Sequence, residues 1–167
     1  MDVYARYVHK HPIYGKRKEV MHMITIWFDM DGTIADLYSV NGWLSDLRNE
    51  QTRPYELAKP LLHFATFART LHKLQKAGYN IGIVTWGSKT ASATFNMAVK
   101  SAKRKWLKKH LPSVIWDDFQ FFPYGTNKNS VNSGNDILFD DELKNRENWQ
   151  GLAYEPNEIQ NIVKGLI

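Results

Sequence analysis

The chain has 167 residues, the usual size of one compact domain, and an ordinary globular composition with 43% hydrophobic and 23% charged residues. It contains no cysteine, which excludes disulfides, thiolate zinc sites and cysteine nucleophiles within this sequence. The formal net charge of +5 favours anionic substrates, but the charge is scattered and no nucleic-acid reader motif occurs, so direct nucleic-acid binding is not favoured.

The N-terminal part of the sequence carries no clear structural signal. No run of about 18 apolar residues predicts a membrane-spanning helix, and no apolar signal-peptide core follows the N-terminus. We therefore expect a soluble, cytoplasmic protein with no membrane partner. Residues 1–22 are basic and lack sustained periodicity, which predicts an N-terminal extension. Residues 23–167 are assigned to one folded domain.

The first regular elements are predicted from the pattern of apolar residues. A short apolar and β-branched run at residues 24–28 is typical of a buried parallel strand. Residues 37–56 are interpreted as an insertion. Apolar residues then recur at helical spacing over residues 56–77, and Gly78 follows at the place where a glycine commonly ends a helix.

The rest of the chain alternates strands with helices. Further strands are predicted at residues 79–85, within 119–122, at 137–139 and at 152–154. Further helices are predicted at residues 90–110 and from Pro156 onward. Strands that alternate with helices indicate a parallel sheet covered on both faces, so we predict a three-layer α/β/α Rossmann-like fold with a mainly parallel sheet.

Polar side chains follow three of the predicted strands. Asp29 and Asp31 follow the first strand, Thr85 ends the second, and Asp140 and Asp141 follow the fourth. Ligands of an open parallel sheet bind beyond the carboxyl ends of its strands, so we expect these side chains to converge. Four carboxylates repel one another unless a cation lies among them, and Mg²⁺ prefers such oxygen ligands together with substrate phosphate. The spacing predicts a metal-assisted phosphoryl site.

Residues 29–33 (DMDGT), directly after an apolar strand, resemble the first motif of the haloacid-dehalogenase-like phosphatases. The resemblance implies that Asp29 attacks phosphorus and forms an aspartyl-phosphate. It implies that Asp31 protonates the leaving oxygen and then activates the water that breaks the intermediate. Asp29 and the main-chain carbonyl of Asp31 would help to bind Mg²⁺, and Gly32 would allow a tight turn beside the phosphate.

The family's other motifs occur in the expected order. Thr85 resembles the second motif, a hydroxyl that binds the phosphoryl oxygens, and the main chain of Trp86 would supply a second donor. Lys128, twelve residues before Asp140, corresponds to the lysine that neutralises the nucleophile and the phosphate. Asp140 and Asp141 resemble the paired acids that complete the magnesium shell, and the sequence leaves open which of the two is the main ligand.

Several basic and polar residues near these motifs have alternative interpretations. Lys89 and Lys103 compete with Lys128 for the role of the neutralising lysine. The basic stretch at residues 100–109 is interpreted as the solvated face of a helix. Ser88 is interpreted as a helix N-cap in preference to a ligand.

A narrower similarity is to small phage and bacterial proteins near the deoxyribonucleotidases. It is carried by residues 54–56, 79–86, 124–126 and 139–142. The similarity implies hydrolysis of nucleoside monophosphates in a bacterial cytosol or a phage-infected host. It also implies that residues 37–56 form a small cap over the site, where Tyr38 or Trp43 would stack on a base or sugar.

Alternative functions remain open at the level of sequence. One is a catalytically silent regulatory module that binds phosphate and magnesium without turnover. A second is a phosphatase that acts on nucleic-acid ends, and a third is phosphoryl transfer to an alcohol instead of water. The presence of all the required acids argues against the silent module. The sequence gives no indication of an oligomeric state.

Overall fold

The computed structural model describes residues 23–167, so the predicted N-terminal extension at residues 1–22 lies outside the described residues. The strands of the described part are β1 (Thr25–Phe28), β2 (Ala35–Asp36), β3 (Lys59–Pro60), β4 (Asn80–Trp86), β5 (Asp118–Phe122), β6 (Ile137–Phe139) and β7 (Leu152–Tyr154). Its helices are α1 (Trp43–Arg48), α2 (Arg53–Leu57), α3 (Phe64–Lys76), α4 (Ala93–His110), α5 (Leu143–Asn148) and α6 (Ile159–Gly165). None of these helices is long and apolar enough to cross a membrane.

Five strands form one parallel sheet in the order β5-β4-β1-β6-β7. β1 lies at the centre, where Phe28 pairs with Ile83 of β4 and with Phe139 of β6. Helices flank the sheet: α3, α4 and α6 cover apolar side chains on one face. On the other face, Trp149, which directly follows α5, and Val131 of a 3₁₀ turn pack on the sheet. The predicted three-layer Rossmann-like α/β fold is confirmed.

Both faces of the central strand are buried. Ile26 and Phe28 lie in the larger apolar cluster with side chains of α3, α4 and α6. Trp27 points to the opposite face and packs with Leu138 and Trp149. Burial on both faces explains why β1 and β6 read as almost continuous apolar runs in the sequence.

The predicted helix at residues 56–77 is wrong in its first part. The chain runs extended through β3, and α3 begins only at Phe64. Pro60 explains the break, because a proline disfavours helical backbone in the residue before it, and it pairs instead with Ala35 of β2. Gly78 follows α3 with a φ of 95°, as expected for a glycine that ends a helix.

The other predicted elements agree with the structure to within a few residues. The predicted helix at residues 90–110 is α4, and the chain enters α6 through a short 3₁₀ turn that begins at Pro156. Ser88 does not cap α4 as predicted. The cap is Ser92, whose hydroxyl accepts a hydrogen bond from the amide of Phe95 (3.1 Å).

The segment at residues 37–56 contains α1 and most of α2 and packs against α4. Tyr55 lies in an apolar cluster with Phe95. The Glu50 carboxylate accepts hydrogen bonds from the amide and the hydroxyl of Ser92, at 2.7 and 2.9 Å. The segment is thus fixed to the core at two places and stands beside the carboxyl end of the sheet.

Candidate active site

Three neighbouring strands bring polar side chains to the same edge of the sheet. Asp29 follows β1, Thr85 lies one residue before the end of β4, and Asp140 follows β6. The Asp29 amide donates to the Phe139 carbonyl (2.9 Å), so β1 and β6 end side by side. The three polar residues are buried, with at most 5% of each exposed. The structure therefore brings together the strand-end side chains that the sequence placed at one edge.

Lys128 lies between two of the carboxylates. It begins a 3₁₀ turn between β5 and β6, and only 2% of it is exposed. Its Nζ donates to Asp29 Oδ1 (2.6 Å) and to Asp140 Oδ2 (2.7 Å). Burial alone would lower the pKa of Lys128, but the charges of Asp29 and Asp140 outweigh burial and raise the pKa above its usual value. Lys128 is thus a buried cation in direct contact with the predicted nucleophile.

A second buried lysine, Lys103, holds the other side of the site. Its Nζ donates to Asp31 Oδ2 (2.7 Å), to Thr85 Oγ1 (2.7 Å) and to the Trp86 carbonyl (2.8 Å). Because Thr85 Oγ1 accepts this bond, the hydrogen of its own hydroxyl is directed to a different acceptor. Lys103 therefore fixes Asp31 and Thr85 relative to each other.

The prediction that residues 100–109 form a solvated helix face is wrong for Lys103. Lys103 lies four residues after Val99 and three before Trp106, and these spacings place side chains on one side of an α-helix. All three residues are at most 2% exposed. The remaining cations of the stretch at exposed positions are Lys100, Arg104, Lys105, Lys108 and Lys109. The helical spacing of Lys103 to the apolar residues Val99 and Trp106 was the sequence signal that could have predicted its burial.

The surroundings of Asp31 shift the pKa of its carboxyl group upward. Burial raises the pKa of Asp31, Lys103 lowers it in part, and the charge of Asp29 raises it again, so that the pKa lies above its usual value. A raised pKa keeps the carboxyl protonated to higher pH, which a general acid requires. About 19% of the Asp31 side chain is exposed, and it faces the cavity described below.

The turn that follows β1 is close to other parts of the site. Gly32 has a φ of 79°, a conformation that favours glycine. A Cβ atom at Gly32 would overlap the Asp141 carboxylate and would lie 2.8 Å from the ring of Tyr38. A side chain is therefore excluded at this position by both backbone and neighbours.

Three carboxylates form a cluster that could hold a metal ion. Oxygens of Asp29, Asp140 and Asp141 lie within 4.8 Å of one another. Burial, followed by the charge of Asp29, raises the pKa of Asp140 to about 6 and that of Asp141 to about 7. Both causes disfavour the ionised forms of Asp140 and Asp141 when no cation is bound between them. A donor set of hard carboxylate oxygens fits a divalent cation such as Mg²⁺.

The paired acids differ in how firmly they are held. Asn145 Nδ2 contacts both oxygens of Asp140 (3.1 Å each), and the Glu142 amide donates to Asp140 Oδ1 (2.9 Å). The Asp141 carboxylate instead contacts the Thr33 hydroxyl at 3.5 Å. Asp141 therefore keeps more of its lone pairs available within the described part of the chain. Asn145 was not singled out from the sequence, where nothing distinguishes it from other polar residues of a short helix.

A cavity of about 740 Å³ opens at this edge of the sheet. Site residues in its lining are Asp29, Asp31, Lys128 and Asp141. Aromatic residues in its lining are Tyr38, Trp43, Tyr55, Trp86 and Tyr124. Tyr38 and Trp43, from the segment at residues 37–56, form a T-shaped pair with ring centroids 5.1 Å apart. Aromatic walls next to a few polar groups are typical of small-molecule sites.

Trp86 contributes its side chain to the site, whereas from the sequence we considered only its main chain. The indole Nε1 donates to the Thr126 carbonyl (2.8 Å), and Lys128 Nζ lies 4.9 Å from the ring centroid. The role of the Trp86 main chain as a phosphate donor stays a prediction. Lys89 is exposed on the cavity wall, with its Nζ 5.7 Å from the ring centroid of Tyr124.

No family model matches this chain, and no curated protein matches it. The fold and the site together define its class. It is a three-layer Rossmann-like α/β protein with a carboxylate–lysine cluster at the carboxyl edge of the parallel sheet.

The carboxylate cluster should make the metal-free protein sensitive to pH. The pKa values of Asp140 and Asp141 are raised to about 6 and about 7, so the folded state binds more protons than the unfolded state between pH 4 and 7. Their contribution to the free energy of unfolding therefore falls as pH rises through this range. Relative to wild type, Asp141→Asn should be more stable by about 1–2 kcal/mol at pH 8 and not at pH 4, after discounting for its partial exposure.

Urea unfolding with a chelator at both pH values measures this difference. Added Mg²⁺ should stabilise wild type at pH 8 and have less effect on Asp141→Asn. Glu147→Gln, an exposed change of the same kind in α5, is the matched control. If the free energy of unfolding had the same pH dependence in wild type and in Asp141→Asn, the raised pKa of Asp141 would be contradicted.

Proposed function

We propose that this chain is a magnesium-dependent phosphomonoester hydrolase of the haloacid-dehalogenase-like class, which acts on nucleoside monophosphates through an aspartyl-phosphate at Asp29. The observation that carries the proposal is the buried ammonium of Lys128 between Asp29 and Asp140, at 2.6 and 2.7 Å, beside the third carboxylate, Asp141. A cation in this place compensates the charge that gathers when a phosphate approaches a carboxylate nucleophile. Phosphoryl transfer depends mainly on such positioning and electrostatics.

The proposed reaction has two steps. In the first, Asp29 attacks phosphorus, the bond to the leaving oxygen breaks, and Asp31 gives its proton to that oxygen. In the second, Asp31 takes a proton from a water molecule that attacks phosphorus, and the bond to Asp29 breaks to release inorganic phosphate. The raised pKa of Asp31 and its contact with Lys103 support its assignment as the acid and base.

The surrounding residues would orient and compensate the phosphate. Lys128 would contact the phosphoryl oxygens while it holds Asp29. The Thr85 hydroxyl accepts a bond from Lys103, but it is fully buried and does not line the cavity, so its contact with a phosphoryl oxygen stays a prediction. Lys103 does not line the cavity either, so we expect it to act through its contact with Asp31, which does.

The metal would be held by Asp29, Asp140 and Asp141. When bound, Mg²⁺ would supply positive charge that offsets the carboxylates and the phosphate. Asp141 offers the less engaged carboxylate, whereas Asp140 is fixed by Asn145 and Lys128, so we assign Asp141 as the main ligand of the pair. This assignment extends the sequence prediction, which left the two acids equivalent.

The aromatic side chains of the cavity wall support a nucleotide as the proposed substrate class. Tyr38 and Trp43 present two aromatic rings beside the site, and Trp86 and Tyr124 present two more, with centroids 5.0 Å apart. Flat rings of this kind stack on a base, which supports a nucleotide over a sugar phosphate. Residues 37–56 would then act as the small cap that the sequence indicated.

Phosphate release from a panel of phosphomonoesters tests the proposal. We expect release from ribo- and deoxyribonucleoside monophosphates with Mg²⁺, and at least about 100-fold less with a chelator, because the carboxylate cluster is then uncompensated. Sugar phosphates should react more slowly than nucleotides. Asp29→Asn protein purified in the same way controls for contaminating phosphatases. Absence of release from every compound, with Mg²⁺ binding intact, would contradict the proposal and favour a catalytically silent module.

A further inference from the structure

On the basis of the proposed function, we propose that the cavity contains a second phosphate-binding site formed by Arg48 and Lys89. The substrate would then be a nucleotide that carries two phosphate groups. The first phosphate would lie at Asp29, and the second would lie between the two exposed cations. The second group is either a monoester, as in a nucleoside bisphosphate, or the diester that follows the terminal nucleotide of a strand.

Arg48 lies on the cavity wall that α1 provides. The residues of α1 in the cavity lining are Trp43, Leu44, Leu47 and Arg48. The helix begins next to the catalytic end, because Trp43 packs on Tyr38, whose ring lies beside Gly32. Arg48 is the last residue of α1, more than one turn of about 5.4 Å further along the helix. It therefore stands at the end of this wall away from Tyr38.

Lys89 also lines the cavity, and two aromatic rings lie between it and Lys128. Lys128 Nζ is 4.9 Å from the Trp86 ring centroid, and the centroids of Trp86 and Tyr124 are 5.0 Å apart. Lys89 Nζ is 5.7 Å from the Tyr124 centroid. A substrate that extends from Lys128 along these rings would reach Lys89 with its far end.

A pair of hydrogen bonds joins the two chain segments that carry these cations. Glu50 lies two residues after Arg48, and Ser92 lies three residues after Lys89. The Glu50 carboxylate accepts from both the amide and the hydroxyl of Ser92, at 2.7 and 2.9 Å. Arg48 and Lys89 are thus both close in sequence to the junction that Glu50 and Ser92 form.

Arg48 and Lys89 form no ion pair within residues 23–167, and one carboxylate of the lining, Glu50, lies at the same junction. Neither Arg48 nor Lys89 has a carboxylate within 4.0 Å among those residues, whereas both buried lysines do. Glu50, the acid nearest in sequence, accepts both hydrogen bonds from the uncharged Ser92, so the formal charges of Arg48, Lys89 and Glu50 sum to +1. Glu142, the other glutamate of the lining, adjoins Asp141 at the catalytic end. An anionic group of the ligand would complete the site.

The size of the cavity is consistent with a ligand larger than a mononucleotide. Its volume of about 740 Å³ lies in the upper part of the range of roughly 300–1,000 Å³ found for small-molecule sites. Exposed cations attract phosphate electrostatically, and salt screens this attraction. The gain in affinity from the second phosphate should therefore depend on ionic strength.

Equilibrium binding to Asp29→Asn, with Mg²⁺ present, tests the second site without turnover. The probes are 2′-deoxyadenosine 5′-monophosphate, 2′-deoxyadenosine 3′,5′-bisphosphate and a 5′-phosphorylated dinucleotide. We expect the bisphosphate to bind about 5-fold to 10-fold more tightly than the monophosphate at low salt, and this ratio to shrink at high salt. Adding Arg48→Gln and Lys89→Gln together should bring the ratio to about 1.

The matched control adds Lys100→Gln and Lys105→Gln, which remove the same charge from exposed positions of α4 outside the cavity lining. For this control, the ratio of bisphosphate to monophosphate affinity should be the same as for Asp29→Asn alone. Tighter binding of the dinucleotide as well would assign the site to strand ends, and tighter binding of the bisphosphate alone would assign it to small nucleotides. Equal affinity for mono- and bisphosphate, or a ratio that survives loss of Arg48 and Lys89, would overturn the second site.

The same probes separate this inference from the proposed function. If wild type releases no phosphate from any of them while the affinity ratio behaves as expected, the second site stands and the hydrolase proposal fails. If wild type hydrolyses the monophosphate and the bisphosphate equally well and binds both equally, the hydrolase proposal stands and the second site fails.

Discussion

Asp29→Asn is expected to lower the Mg²⁺-dependent release of phosphate by about 10⁴-fold or more, because the amide cannot act as the nucleophile. The fold should be retained. Asparagine has nearly the shape of aspartate, and Lys128 keeps its bond to Asp140 (2.7 Å). Initial rates and urea unfolding of the same preparation measure the two effects separately.

Covalent labelling adds a direct test of the nucleophile. Wild type mixed with a labelled nucleotide and quenched in acid should carry a labelled phosphoryl group on Asp29, whereas the variant should carry none. Glu147→Gln, an exposed change from acid to amide, should react and label like wild type. A variant at Asp29 that kept the rate of wild type would show that the nucleophile is assigned wrongly.

Lys103→Met is expected to reduce both stability and activity. Methionine fills a similar volume but leaves Asp31, Thr85 and the Trp86 carbonyl without a donor. Loss of one partner of a buried ion pair commonly costs about 3–5 kcal/mol, and we expect about 2–3 kcal/mol here because Asp31 is partly exposed and can protonate. Urea unfolding at neutral pH measures this loss.

The kinetic effect of Lys103→Met should be larger on kcat than on KM. Lys103 and Thr85 are both absent from the cavity lining, so on the proposed mechanism we expect Lys103 to act by positioning Asp31 and not by contact with the substrate. We expect kcat to fall about 100-fold, which is the effect commonly seen when a general acid or an oxyanion donor is removed. KM should change by less than about 5-fold. Lys105→Met, two residues away on the exposed face of α4, should leave both parameters and the stability nearly unchanged. A variant at Lys103 that is destabilised but keeps kcat would reduce its role to folding.

The order of the main elements could be predicted because its signals are local. Residues 24–28 and 137–139 are compact apolar runs, and each is followed directly by acidic residues. Parallel strands end at one edge of a sheet, so the convergence of Asp29 with Asp140 followed from topology alone. The structure has β1 and β6 as neighbours, with the Asp29 amide bonded to the carbonyl of Phe139.

The errors in the predicted elements also have local causes. Apolar residues recur at helical spacing throughout residues 56–77, although Pro60 keeps the first part of this segment out of the helix. Periodicity alone does not distinguish one long helix from a short helix preceded by an extended segment whose apolar residues happen to have the same spacing. At the start of α4, two serines were within reach of the cap position. The backbone placed Ser92 there and left Ser88 in the cavity wall.

The sequence by itself determined the fold class and the edge of the sheet at which the acidic residues meet, since both depend on short apolar runs and on the residues that follow them. Only the tertiary structure decided which lysine forms an ion pair with which carboxylate. Lys128 lies 99 residues from Asp29, and Lys103 lies 72 residues from Asp31. A charge on a helix or in a polar loop is normally solvated, and it becomes a buried partner only when packing removes water and brings a distant carboxylate within 3 Å.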